Sequence, residues 1–272
     1  MLPPITSLQN PRVKQAVKLR DRSGRDDQRL IIIDGQREVE RALSAGVRLK
    51  ELFIEADVLH PDAERQLARQ ARDCDADVLD VTAEVMQKLA FGERRAGVVA
   101  TAEPPTATLG EFSAKLSQQK AKPLILVLEA VEKPGNLGAV LRTADAVGAS
   151  GLIVCDARTD LFNPNAIRAS LGAIFTVPLA QATVAETIAF LRQHQLAMIT
   201  ARVDGAVNYT AVDYRRAAAV ILGSEMAGLT PTWHQPDMQA IQLPMLGQID
   251  SLNVSVTAAV VCYEALRQRT AV

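Results

Sequence analysis

Four short, nearly uniformly apolar runs in the second half of the chain, Leu124–Leu128, Leu152–Cys155, Ala197–Thr200 and Ala219–Leu222, constrain its fold most. Each is too short for a buried helix and shows no polar alternation, so each reads as a strand covered on both faces, the pattern of a parallel sheet. Helical stretches separate them: Leu137–Val147 stopped by Gly148, Val184–His194, and a closing helix over Leu252–Arg269. Asn163-Pro164 supplies an N-cap and a first helical residue for a short helix ending near Gly172, and Phe175–Leu179 reads as one more strand. Strands that alternate with crossover helices build an open, doubly wound α/β sheet. Aromatic residues are only 4% of a chain that is 48% hydrophobic, so Ala, Val, Leu and Ile must fill the core.

The amino half repeats the alternation on a smaller scale. Leu30–Ile33, Leu52–Ile54, Val78–Leu79 and Gly97–Ala100 read as strands, and Arg37–Ala45, His60–Arg72 and Ala83–Leu89 as helices. Pro104-Pro105 then interrupts regular structure ahead of a polar stretch. The expected division is a small α/β/α domain over residues 1–103, a linker with one short helix over 104–122, and a second α/β domain over 123–272.

Several function classes are disfavoured. Cys74, Cys155 and Cys262 are far apart, with Cys155 and Cys262 inside apolar runs, and read as unpaired. His60, His194 and His234 lack ligand spacing, so no metal is expected. No run of eighteen apolar residues or signal-like amino terminus occurs, which leads us to expect a cytoplasmic protein with no membrane partner. Net charge is −1, yet Asn10–Arg29 carries seven bases against three acids. That segment is either a phosphate-binding footprint or a solvated helix face.

The chemistry-bearing residues lie where the second sheet should end. Ala130–Gly138 joins a strand to a helix but has neither a dinucleotide fingerprint nor a P-loop. In it Asn136 stands where it could cap the helix, and Arg142 either reaches the loop mouth or pairs with Asp145. Gly223-Ser224-Glu225-Met226-Ala227-Gly228-Leu229 and Leu243–Gly247 follow apolar runs; Glu225 could cap a helix start, and Ser251, Asn253 or Ser255 the last helix, with Asn253 in its first turn. Such loops offer backbone N–H and C=O groups with a few neutral side chains, an arrangement suited to holding a bulky cofactor.

In combination these stretches resemble the SpoU (TrmH-type) RNA ribose methyltransferases of the SPOUT class. The resemblance runs through Asn136-Leu137-Gly138-Ala139-Val140-Leu141-Arg142, Leu222-Gly223-Ser224-Glu225 with Gly228-Leu229, and Leu243-Pro244-Met245 with Ser251-Leu252-Asn253-Val254-Ser255. Arg168–Gly172 matches a further stretch. In the amino half, Ser7–Lys14 and Ile33-Asp34-Gly35 resemble the family's ribosomal-protein-like RNA-binding domain, although relatives often have Glu where Asp34 stands.

The resemblance implies a SPOUT α/β domain with a carboxyl-terminal deep trefoil knot and a homodimer. It implies S-adenosylmethionine as cofactor, held by Gly223, Gly228, Leu243, Met245 and Leu252, and a ribose 2′-hydroxyl of structured RNA, ribosomal above all, as methyl acceptor. Arg142 matches the proposed catalytic arginine, with Asn136, Glu225, Ser251 and Asn253 around it; Arg12, Lys14, Lys18, Arg20 and Arg168 are the RNA-binding candidates. A transfer RNA substrate, or a non-catalytic RNA-binding or ribosome-assembly protein that keeps the fold, are the competing expectations. A nicotinamide dehydrogenase is disfavoured by the missing fingerprint.

Overall fold

A computed structural model describes residues 4–91, 97–205, 207–224 and 226–271. In chain order its elements begin with α1 (Pro11–Lys18), α2 (Arg22–Gln28), β1 (Ile31–Asp34), α3 (Gln36–Ser44), β2 (Leu49–Glu55), α4 (Pro61–Asp73), β3 (Asp77–Val81), α5 (Ala83–Leu89) and β4 (Val98–Ala102). There follow α6 (Leu109–Ser117), β5 (Leu124–Glu129), α7 (Pro134–Ala146), β6 (Gly151–Cys155), α8 (Pro164–Ala169), α9 (Ala173–Thr176) and β7 (Leu179–Ala182). The chain finishes with α10 (Val184–Gln193), β8 (Ala197–Ala201), β9 (Val207–Asn208), β10 (Ala218–Leu222), β11 (Met238–Gln242) and α11 (Val254–Thr270). The chain forms two compact units. Residues up to Pro105, together with Phe162–Thr176, make the first; Thr106–Leu161 and the chain from Val177 onward make the second.

The first unit is built on a four-stranded sheet in the order β1-β4-β2-β3, antiparallel except for the β2–β3 pair. Val13, Ala16 and Leu19 of α1 and Val85, Met86 and Leu89 of α5 pack on one face against Ile32, Phe53, Leu79 and Val99. Asn10 caps α1, its Oδ1 accepting from the Arg12 N–H at 2.9 Å, and Pro11 opens the helix. Helix α8 packs on β1, and Arg41 holds the neighbouring turn by donating to the Leu171 carbonyl at 2.9 Å.

The second unit carries a wholly parallel seven-stranded sheet in the order β7-β6-β5-β10-β8-β11-β9. Its central strands β5, β6 and β10 are buried at every position, as a sheet covered on both faces requires. Ile125, Val127, Ile153, Ala219 and Ile221 meet α10 and Phe112 and Leu116 of α6 in one cluster. The alternating residues point the other way, where α7 and α11 pack along each other. Strand order reverses at β5–β10, and in open sheets the carboxyl ends beside such a reversal are where ligands bind.

Several expectations change. The short helix expected within 104–122 is present as α6, but Phe112 and Leu116 are buried in the second unit, so the stretch is less a spacer than a core element. The strand expected over Phe175–Leu179 is instead the end of α9, with β7 beginning at Leu179. Ser170 causes this, because its Oγ accepts from Gly172 N–H at 3.2 Å and Ile174 N–H at 3.3 Å and starts a new helical turn. Asn136 is no N-cap, since Lys133 takes that place and Pro134 begins α7 two residues earlier. Asn253 is the cap of α11 and not a first-turn residue.

Candidate active site

Four segments leaving the carboxyl ends of β8, β10 and β11 and entering α11 surround a cavity of about 790 Å³ within the second unit. That volume lies in the range of ligand pockets, roughly 300–1,000 Å³. Its wall is made of Ala201–Asp204, Leu222–Ser224 with Met226–Leu229, His234, Gln242–Leu246, and Asp250–Leu252 with Val254 and Thr257. All five residues expected to hold a cofactor, Gly223, Gly228, Leu243, Met245 and Leu252, line it.

The loop after β10 is closed on itself. Ser224 and Gly228 exchange two backbone hydrogen bonds of 3.1 Å, and Ser224 Oγ accepts from the Ala227 N–H at 3.1 Å. Gly228 sits at φ +67°, and a Cβ on Gly223 would lie 2.1 Å from the Gly228 carbonyl carbon, so the crossing is possible only for glycine. Where a wall consists of backbone this close, its N–H and C=O groups can read the edge of a planar ligand. Arg202 and Asp204 add a charged stretch through paired contacts of 2.8 and 2.6 Å, and the guanidinium holds the Asp204 carboxyl below the usual carboxylate range.

The structure joins the first motif to the third. Asn253 Oδ1 accepts from Ser255 N–H at 2.8 Å and from Ser255 Oγ at 2.6 Å, which caps α11, while its Nδ2 donates to Asn136 Oδ1 at 3.2 Å. Asn253 is therefore oriented from both ends of its amide, next to Leu252 and Val254 on the cavity wall. Ser251 also lines the cavity. Arg142 lies on α7 and is exposed; among the described residues it forms no hydrogen bond or ion pair, with Asp145 or any other group, and it is not part of the cavity wall. Glu225 lies outside the described residues.

The RNA-binding candidates separate. Lys14 and Lys18 are exposed on α1. Arg12 is committed to Asp77 at 2.7 Å and Glu51 at 3.5 Å. Arg20 turns inward and donates to the carbonyls of Lys88 and Ala90, with burial lowering its pKa against the pull of Asp34 and Asp21. Arg168 donates to the Phe91 carbonyl. Arg25, one of the seven bases, is buried and donates to the carbonyls of Leu19 and Arg20 at 2.8 Å each. Arg12, Arg20 and Arg25 thus brace the fold, a role that neither reading of the basic segment, phosphate footprint or solvated helix face, included.

Residues that sequence reasoning passed over include Arg202, Asp204, His234 and Asp250 on the wall, and Glu129 behind it. Only Glu129 left a signal, a carboxylate ending an otherwise apolar run. Cys155 and Cys262 are buried among apolar side chains, which pushes each thiol up to about 12 and suits packing, not reactivity. Among the described residues no group of three or more His, Cys, Asp or Glu is placed to hold a metal ion, and no helix is long and apolar enough to cross a membrane.

Comparison with known proteins agrees with this geometry. Residues 123–263 match the model of the SpoU rRNA Methylase family, and residues 10–100 match an MRM3-like substrate binding domain. The chain is 35% identical over 233 residues to the 23S rRNA (guanosine-2'-O-)-methyltransferase RlmB of Bordetella pertussis, covering 85% of this chain and 94% of that protein. Among solved structures it is similar to an RNA 2'-O ribose methyltransferase (39% identity, TM-score 0.80, 98% of this chain and 99% of the other). It is also similar to an AdoMet-bound rRNA methyltransferase from Sinorhizobium meliloti (28% identity, TM-score 0.86, 99% and 98%). A family model matched over residues 123–263, and a relative 35% identical across 85% of the chain, have one reading: the chain belongs to the SpoU rRNA Methylase family.

Proposed function

We propose that this chain transfers a methyl group from S-adenosylmethionine to a ribose 2′-hydroxyl of structured RNA, with ribosomal RNA as the substrate class. One observation carries the reading: the five positions at which the family resemblance expects cofactor contact line one cavity, on loops whose backbone glycine keeps open. The relatives support it, since the names of similar proteins state an rRNA 2′-O-methyltransferase activity and a bound AdoMet.

S-adenosylmethionine supplies, when bound, a methyl group activated by the adjoining sulfonium. Gly223, Gly228, Leu243, Met245 and Leu252 hold it through main-chain groups and apolar contact. Asn253, fixed by Ser255 and Asn136, presents an oriented amide beside the cavity, and Ser251 adds a hydroxyl. A guanidinium is a hydrogen-bond donor and a poor base, so the role of Arg142 is to gather an RNA phosphate and stabilise the charge that develops on the attacking 2′-oxygen. Among the described residues Arg142 has no hydrogen-bond or ion-pair partner, which leaves it available for that role. Glu225 would orient Asn136 or Arg142. The amino domain over residues 1–103 binds the RNA, with Lys14 and Lys18 as its exposed cations.

The same reading makes the protein a cytoplasmic homodimer with a trefoil knot in its carboxyl-terminal threading. Val256 and Tyr263 on α11, and Met226, Leu246 and Ile249 on the loops, are large apolar residues left exposed, as an interface would require. Radiolabelled methyl transfer tests the proposal: label should enter ribosomal RNA as a 2′-O-methylated nucleoside, and Arg142→Ala should lower kcat by about 100-fold or more with AdoMet affinity retained. Equal incorporation by wild type and Arg142→Ala removes Arg142 from the reaction. Label confined to transfer RNA replaces the substrate class, and cofactor binding without transfer leaves an RNA-binding protein.

A further inference from the structure

Behind the cavity, and outside its wall, Glu129 ends β5 with only 1% of its surface exposed. Its carboxylate is paired in a directed way: Oε2 accepts from the Thr230 N–H at 2.8 Å, and Oε1 accepts from the Thr230 hydroxyl at 2.6 Å. Thr230 is the residue immediately after the Gly223–Leu229 loop, six described members of which line the cavity. The residue after Glu129, Ala130, takes the left-handed conformation at φ +51°, unusual for a residue with a side chain, while its N–H still reaches the Cys155 carbonyl at 2.8 Å.

We infer that Glu129 is a positioning residue for the cofactor loop: by clamping both donors of Thr230, it fixes the loop in the shape that binds S-adenosylmethionine. The loop enters from β10, a central strand, and is closed internally by the Ser224–Gly228 bonds. Its exit is fastened by Glu129, on the strand that pairs with β10 residue for residue up to Leu222 and Leu128. A buried carboxylate carries a large desolvation cost, which only strong donors offset, and here two donors on one residue meet it. A neutral cap would satisfy Thr230 as a structural end, but a charged, bidentate acceptor makes the loop exit stiff. The consequence is a pre-ordered pocket, so the entropy of ordering the loop is not charged to ligand binding. Removing the clamp should therefore weaken cofactor affinity and leave the chemical step intact once the cofactor is bound.

This inference rests on the reading of the cavity as the S-adenosylmethionine site, and the experiment separates the two. Titration calorimetry with S-adenosylmethionine is run on the full-length wild type, Thr230→Val and Thr230→Ser, with kcat measured at saturating cofactor and the melting midpoint of each free protein. Thr230 is exposed, so its variants are expected to fold. Thr230→Val, which deletes the hydroxyl donor and keeps the shape, should raise Kd about tenfold, the scale of a hydrogen bond to a charged group, with kcat within about twofold of wild type. Thr230→Ser, which restores the hydroxyl, should bring Kd back to the wild-type value. Glu129→Gln, which keeps an acceptor for the Thr230 N–H, should fall between the two. A wild-type Kd in Thr230→Val, or a Thr230→Ser as weak as Thr230→Val, overturns the clamp. Absence of saturable heat with the wild type overturns the cavity assignment itself.

Discussion

The basic segment of the first unit and the sheet-edge loops of the second both hold hydrogen-bonding capacity that a ligand could use, and they dispose of it differently. In the first unit the capacity sits on long guanidinium side chains, and the fold itself consumes much of it: Arg20, Arg25 and Arg168 donate to main-chain carbonyls and Arg12 pairs with Asp77. In the second unit it sits on backbone and short amides in a loop held at both ends, Gly223 against Gly228 and Thr230 against Glu129. A flexible side chain can fold back onto its own domain, whereas a strand-anchored loop has few alternatives. Motifs made of loops therefore transfer from sequence to site more faithfully than charge counts.

The sharpest way to break this comparison is Gly223→Val. The added side chain would meet the Gly228 carbonyl carbon at 2.1 Å, and backbone cannot step aside as a lysine tip can. We expect S-adenosylmethionine affinity to fall by about two orders of magnitude or more, because displacing the loop removes several contacts at once. Calorimetric titration of a variant shown to be folded by circular dichroism measures it. Near-normal binding would mean that the backbone of this loop does not shape the pocket.

The same distinction explains what the sequence disclosed. The strands β5, β6, β8 and β10 announced themselves as apolar runs because both faces of a parallel sheet are buried, and Asn163-Pro164 announced α8 through capping chemistry confirmed by the 2.9 Å Asn163 contact to the Asn165 N–H. Strand β11 registered only as a run ahead of Leu243 and not as a strand, since Met238-Gln239-Ala240-Ile241-Gln242 carries two glutamines and only Ile241 is fully buried. Helix α6 was legible as one short helix, but its place in the core was not, because only two residues of a polar segment, Phe112 and Leu116, are buried in it. The gathering of Gly223, Leu243 and Leu252 was legible through family motifs. The Glu129 clamp and the inward turn of Arg20 were not, because each depends on a partner far away in sequence, Thr230 and Ala90 respectively.

Within the first unit, the comparison is sharpened by setting Arg20 against Lys14 and Lys18. Arg20→Met removes a charged donor from two carbonyls, costing about 1–3 kcal/mol and lowering the melting midpoint by about 5 °C. Lys14→Ala and Lys18→Ala should leave the midpoint within about 1 °C and instead weaken RNA binding, each reducing the salt dependence of log K by about one phosphate contact. Scanning calorimetry and filter binding across a salt series read the two effects. If Arg20→Met instead keeps its midpoint and flattens the salt slope, the guanidinium serves RNA after all.

The smallest effect concerns the carboxylate among these arginines. Asp34 is 9% exposed, its Oδ2 accepts from the Phe91 N–H at 2.6 Å, and its Oδ1 has no partner among the described residues. Burial pushes the carboxyl above its ordinary value of 3.8, outweighing the Phe91 N–H and the cations Arg168 and Arg20. The folded chain therefore holds a proton at this site more tightly than the unfolded chain does. Folding takes up that proton in the window above 3.8, so wild-type stability declines as pH rises through it and stays lower beyond the raised pKa. Asp34→Asn keeps an acceptor for Phe91 and does not titrate. The melting midpoint of the variant minus that of wild type should thus grow between about pH 4 and pH 7. A difference that shrinks over that range would show that Arg20 and Arg168 stabilise the charge more than burial penalises it, and would restore a share of their capacity to electrostatics within the first unit.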